Sequence, residues 1–254
     1  EKGFLGDYPW HTAFCGDIDI CGFKRPQSFY RDCVWGISRA PYLAVHKPEH
    51  YGKTPDISKW GWPDVVSSWT WPGQEAKPIV VDIYCSDSEV ELFLNGRSLG
   101  RKPAGKANRY LAEFETAYEP GILEAVGYED GTPVSRSTLR TAGAPAQLRL
   151  TPDRSCLKAS FGDLSYITVE LLDAEGNPVP NADHPLYFTA YGPGSVLAVG
   201  NGNPLSEEKY VGNQRRIYEG RAMAVIRSNG EAGQIVLTVS AEGIRPASTV
   251  IKVE

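Results

Sequence analysis

The sequence predicts a mainly β chain: two consecutive immunoglobulin-like β-sandwiches, preceded by a short segment that is not a domain of its own. Three observations carry this. Period-two alternation of apolar residues sets in at Ile79 and recurs to the end of the chain. The 26 glycines and 19 prolines are spread in short clusters, the punctuation of many short strands joined by turns. Residues 1–45 have one helix-like stretch and too few apolar positions to close a core alone.

Within that first segment, Tyr8–Gly22 reads as a loop of mixed aromatics and acids. Pro26 suits the first turn of a helix, where its missing N–H costs nothing. Phe29, Tyr30, Cys33 and Val34 then recur at helical spacing, and Gly36 supplies the stop. The helix is expected to dock on the following sandwich through Phe29, Tyr30, Cys33 and Trp35. Residues 46–65 read as a connector within a stretch rich in Pro, Gly and Trp.

The first sandwich is expected over 66–141. Val81, Ile83 and Cys85 share one strand face, and Val90, Leu92 and Leu94 share the next. Asn95-Gly96 joins that strand to Arg97-Ser98-Leu99, because both turn residues tolerate positive φ in a type I′ turn. Ala112–Glu115 and Ile122–Tyr128 are further strands, and Glu129-Asp130-Gly131 turns into Val134–Leu139. Ala142-Gly143-Ala144-Pro145 marks a boundary. The second sandwich, 142–254, shows some seven strands: Gln147–Thr151, one around Ile167, Val169 and Leu171, then Leu186–Ala190, Val196–Val199, Ala222–Arg227, Ile235–Ala241 and Thr249–Val253.

Charge and composition exclude several functions. With 26 basic and 31 acidic side chains the net charge is -5, which is no footprint for nucleic acid or an anionic membrane. No apolar run reaches the roughly 18 residues that a spanning helix needs. No signal-peptide pattern opens the sequence, which leaves the compartment open. Five cysteines without a C-x-x-C pair argue against zinc, and are expected as buried reduced thiols.

No self-sufficient active site is visible. Asp17 and Asp19 are close-set acids in the aromatic loop, but two residues apart they cannot flank a sugar from opposite sides, and a loop-stabilising role suits them better. His11 beside Trp10 is the most function-like histidine, yet no nucleophile accompanies it. His46 and His50 are spaced as ligands on a helix, but Pro48 between them breaks one and no third ligand follows. Asp173, Glu175 and Asp183 miss the calcium-loop spacing. Gly200-Asn201-Gly202-Asn203-Pro204 is a turn, not a phosphate loop. Trp60, Trp62, Trp69 and Trp71 have two readings: platforms for sugar rings, with Trp69 and Trp71 the named candidates, or packing wedges, which is the reading preferred. No metal, cofactor or catalytic residue is assigned.

The run Tyr8-Pro-Trp-His-Thr-Ala-Phe-Cys-Gly-Asp-Ile-Asp-Ile-Cys-Gly-Phe-Lys-Arg-Pro-Gln-Ser-Phe-Tyr-Arg31 resembles the end of the (β/α)8 barrel in glycoside hydrolase family 2, the β-galactosidase and β-glucuronidase family. Ser68–Trp71 through Glu91-Leu-Phe-Leu-Asn-Gly-Arg-Ser-Leu-Gly100 is similar to the small sandwich after that barrel. Val169–Val179 and Val199–Pro204 resemble the family's C-terminal immunoglobulin-like domain. The resemblance implies that residues 1–45 are a barrel remnant, a loop plus the last helix. It implies a retaining β-glycosidase as parent, whose two catalytic glutamates have no counterpart here, so the 254-residue chain alone is expected to be inactive. Trp10, His11 and Asp19 are then candidates for lining the substrate mouth. The implied partner is the N-terminal catalytic barrel of the same polypeptide, with an oligosaccharide as a further candidate. A carbohydrate-binding module and an adhesin-like structural spacer are the alternative readings.

Overall fold

The computed structural model describes residues 8–12, 15–54 and 61–254. The chain divides into two compact units, Glu1–Thr141 and Ala142–Glu254.

In the first unit, helix α1 spans Pro26–Val34 with proline in its first turn. It ends at Gly36, whose φ of 67° places it in the left-handed region, with the Gly36 and Ile37 N–H groups returning to Cys33 and Asp32 carbonyls. Eight strands follow: β1 Tyr42–His46, β2 Val65–Val66, β3 Pro78–Tyr84, β4 Glu89–Leu94, β5 Arg97–Pro103, β6 Leu111–Ala117, β7 Ile122–Glu129 and β8 Thr132–Arg140. They form two antiparallel four-stranded sheets, β2-β1-β3-β6 and β5-β4-β7-β8. Leu43, Val45, Val81 and Ile83 from one sheet meet Val90, Leu92, Leu94 and Leu123 from the other, all essentially buried. The two hairpins form as the turn residues require. Asn95 and Gly96 have φ of 51° and 80°, and Asp130 and Gly131 have 48° and 76°.

The outer face of the first sheet is also covered. Ala44, Val65 and Tyr84 there pack with Cys33 of α1, and Tyr30, Tyr42, Trp62 and Tyr110 close around them. Phe29 stacks on Tyr42 at 4.3 Å, and Tyr30 meets Tyr84 edge-on at 5.4 Å. Helix docking thus uses Phe29, Tyr30 and Cys33. Trp35 does not take part: it is 67% exposed. Two residues beyond Cys33, it lies about 200° further round the helix, on the side away from the sheet.

β1 also departs from expectation, since it begins inside the segment 1–45 read as loop plus helix. Its central residues Leu43, Ala44 and Val45 are all buried, because one side faces the core and the other faces α1. A strand covered on both sides loses the alternation that would announce it.

The second unit holds nine strands: β9 Gln147–Pro152, β10 Cys156–Leu157, β11 Phe161–Leu172, β12 Pro185–Tyr191, β13 Gly194–Gly200, β14 Gln214–Arg216, β15 Arg221–Asn229, β16 Gly233–Ala241 and β17 Ile244–Val253. Their order is β13-β15-β11-β9-β17-β16-β12-β14, with β10 beside β17. β9 reaches β17 through one parallel pairing, Gln147 with Arg245, so the surface folds into two halves around a single core. Ile167, Val169, Leu171, Phe188, Ile226, Leu237 and Ile251 fill it. The seven strands read from the sequence are present. β10 and β14, two and three residues long, are too short to show a period.

Candidate functional site

The loop ahead of α1 is shaped by its acids. One carboxylate oxygen of Asp19 accepts the backbone N–H groups of Cys21 (2.8 Å) and Phe23 (3.0 Å), closing a turn that brings Ile18 against Lys24 in an isolated bridge. Asp17 pairs with Arg31 of the helix at 2.6 Å, and its carbonyl accepts the Arg25 N–H. Buried Gln27 donates from its amide to the Gly16 carbonyl at 2.6 Å. Lys24 pairs with Asp32 at 2.7 Å. Both acids therefore hold the loop to itself and to α1, as the sequence favoured.

The three mouth candidates all lie on this loop. His11 is exposed and Trp10 half-buried, with its indole N–H buried and lacking a hydrogen-bond partner among the described residues. Asp19 is half-buried and occupied with the turn. Ala13 and Phe14, between the aromatic and acidic halves, lie outside the described residues, as does Trp60.

The sugar-stacking candidates are corrected by burial. Trp69 is 1% exposed and Trp71 9%, both inside the first core. The Trp69 ring is edge-packed by Tyr118 at 5.0 Å, and its N–H donates to the Glu119 carbonyl at 3.0 Å. A ring enclosed on both faces has none to offer a pyranose. Trp62 belongs to the helix-docking cluster, donating to the Tyr84 hydroxyl at 3.1 Å.

The remaining polar clusters are structural. His46 contacts Asp82 at 3.0 Å, whereas His50, on a 3-10 turn, contacts Asp64 at 3.1 Å, so the two histidines face different carboxylates. Among the described residues, no group of three or more His, Cys, Asp or Glu could hold a metal ion. Asp173 and Asp183 are engaged separately, Asp173 within its own turn and Asp183 with Arg216 at 3.2 Å. In the Gly200–Pro204 turn, the Asn201 side chain accepts from the Asn203 N–H and from the fully buried Arg215 guanidinium, at 3.1 and 3.0 Å. All five cysteines are free, but only Cys33 and Cys85 are buried; Cys15 and Cys21 are half-exposed and Cys156 is exposed. Burial pushes the Cys33 thiol up to about 11 and the Cys85 thiol up to about 12, which leaves both unreactive.

A glycosidic acid needs a carboxyl raised into the working range. Among the described residues, the carboxyls whose pKa is displaced, Glu91, Asp163, Asp173 and Glu254, all move downward. For Glu91 the leading cause is the hydrogen bond from Ser98. Stabilised carboxylates of this kind accept hydrogen bonds; they do not protonate a leaving group.

Comparison with known proteins agrees with this division. Residues 148–250 match the family described as glycoside hydrolase family 2 C-terminal domain 5, and residues 76–135 match a domain of unknown function, DUF4982. A β-galactosidase from Bacteroides ovatus, BoGH2A, is 34% identical over 97% of this chain and 26% of its own length. A putative β-glucuronidase from Formosa agariphila is 28% identical over 95% of this chain and 22% of its own. The solved structure of a glycosyl hydrolase family 2 member from Bacteroides cellulosilyticus superposes with a TM-score of 0.90 at 36% identity, covering 99% of this chain and 33% of that one. The chain thus spans about a quarter to a third of these relatives. Matched over nearly its whole length by a relative 34% identical to it, and over 148–250 by the family's C-terminal domain 5, the chain belongs to glycoside hydrolase family 2 and corresponds to its C-terminal accessory region.

Proposed function

We propose that this chain braces the catalytic barrel of a retaining β-glycosidase of the β-galactosidase type and shapes the rim of its substrate mouth. The observation that carries the reading is the two-sided loop–helix module. One side of α1 is packed on the first sandwich through Phe29, Tyr30 and Cys33. Away from that contact, Val34, Trp35 and Ile37 at the helix end and Ile18 and Ile20 in the loop remain exposed, Trp35 and Ile37 at 67%. The charges around them are paired within the module, Asp17 with Arg31 and Lys24 with Asp32. Apolar surface of this kind, with its neighbouring charges already satisfied, suits a large apolar partner. In this reading Trp10, His11 and Asp19 belong to a loop held rigid at the mouth. A freestanding spacer leaves the exposed helix end unexplained.

The test compares the 254-residue chain with the polypeptide extended by its N-terminal portion. The chain alone is expected to release no nitrophenol from a nitrophenyl β-galactoside, and the extended polypeptide to release it. Trp35→Glu in the extended form is expected to lower its melting temperature and its activity together. Hydrolysis by the chain alone, or an unaffected Trp35→Glu variant, would overturn the proposal.

A further inference from the structure

Arg31, on α1, makes contacts of different kinds with a single guanidinium. Its Nη1 lies 2.6 Å from Asp17 Oδ1 in the loop and donates to the Gln27 carbonyl, one helical turn earlier, at 3.1 Å. The guanidinium carbon lies 5.9 Å from the centre of the Trp62 ring. Trp62 comes from the segment after β1, packs against Tyr30 at 5.2 Å, and donates its indole N–H to the Tyr84 hydroxyl of β3 at 3.1 Å. One side chain therefore meets the loop on one side and the aromatic cluster of the first sandwich on the other. The anchoring of α1 itself is carried by other residues: Cys33 and Tyr30 in the cluster and Phe29 stacked on Tyr42.

We infer that Arg31 is a positioning residue, which sets where the loop of Asp17 and Asp19 sits against the first sandwich and, through that loop, how tightly substrate is held. The inference rests on the proposal above that this loop lies at the substrate mouth. The Arg31 and Asp17 side chains are 35% and 38% exposed, and an ion pair so open to water adds little to stability. What it supplies is geometry. A planar guanidinium offers an edge to a carboxylate and a face to an aromatic ring, a combination that an ammonium group does not reproduce. Loop placement and helix anchoring thus belong to different side chains, so mutation can separate them. A loop that contacts substrate equally in the ground and transition states changes KM and leaves kcat alone.

The test has two arms. In the 254-residue chain, Arg31→Ala should speed hydrogen exchange at the Arg25 N–H, which bonds to the Asp17 carbonyl, about tenfold while β3 and β6 stay protected. In the polypeptide extended by its N-terminal portion, the same variant should raise KM for a nitrophenyl β-galactoside about tenfold, with kcat within about twofold and the melting temperature unmoved. Arg31→Lys keeps the charge without the flat face and should fall between. Asp17→Asn should match Arg31→Ala, and the double variant should add nothing further. Arg97→Ala, which breaks another exposed pair with Glu119, should leave both readouts as they are. Unchanged Arg25 exchange, an unchanged KM in an active extended polypeptide, additive effects of the two substitutions, or a joint fall in kcat and melting temperature would each overturn the inference alone. An extended wild type without hydrolysis would instead overturn the bracing proposal and this inference with it.

Discussion

In the first unit the outer face of the β2-β1-β3-β6 sheet is roofed by α1 and Trp62, whereas in the second the outer face of β12, β16 and β17 stands open with Tyr187 and Tyr191 upon it. The strands beneath record the difference. β1 is buried at Leu43, Ala44 and Val45 in succession, while β12 alternates buried and exposed along its length. A tyrosine therefore means different things in the two places. Tyr84 is 2% exposed, and burial raises its phenol well above the ordinary tyrosine value. Tyr191 is 68% exposed.

The sharpest way to break this comparison is Trp69→Ala, which removes the largest fully buried side chain of the first core. It should cost the first unit about 3–5 kcal/mol. Urea unfolding followed by resolved amide signals from each unit should show the first shifted and the second unmoved. A single transition displaced as a whole would instead join the two units energetically.

A smaller effect is expected for Tyr30→Ala, which removes the ring between Trp62 and Tyr84 and the hydrogen bond to the Arg109 carbonyl. The loss should be about 1–3 kcal/mol. Hydrogen exchange should report it as faster exchange across Pro26–Val34, with β3 and β6 still protected. Unchanged protection of the helix would mean that Phe29 and Cys33 suffice to hold it.

The smallest effect belongs to the second unit and to pH. Burial alone would raise the Asp173 carboxyl. Hydrogen bonds from the Asn177 side chain and backbone and from the Gly143 N–H outweigh it and hold the pKa below the usual range. A carboxyl depressed in the folded state contributes stability above its unfolded pKa of about 3.9, and that contribution is lost as pH falls through the folded value. Asp173→Asn should therefore narrow the difference between urea midpoints measured at pH 7 and pH 3, with the second unit alone affected.

Much of the architecture was legible because its causes are local. Val90, Leu92 and Leu94 announce a one-sided strand, Asn95-Gly96 and Asp130-Gly131 announce positive φ, and Pro26 and Gly36 bracket a helix. The loop acids were legible too, since Asp19 bonds within four residues of itself. Other features have distant causes. β1 is hidden because its second face is covered by a helix rather than by water. Trp69 and Trp71 could be platform or core until Tyr118, some fifty residues on, closed over Trp69. Trp35 failed as a docking residue through helical phase alone, and the strands that lie beside Tyr187 and Tyr191 are known only once β12, β16 and β17 are set in register.

The sequence by itself determined the strand periods, the turns, the helix limits and the family, because these depend on neighbours within a few residues or on motifs read in order. Tertiary structure alone decided which side chains are covered: α1 over one sheet, Trp69 and Trp71 enclosed, Tyr187 and Tyr191 exposed. Alternation states that a strand has two sides. What lies against each side depends on residues far along the chain, and no local period encodes that.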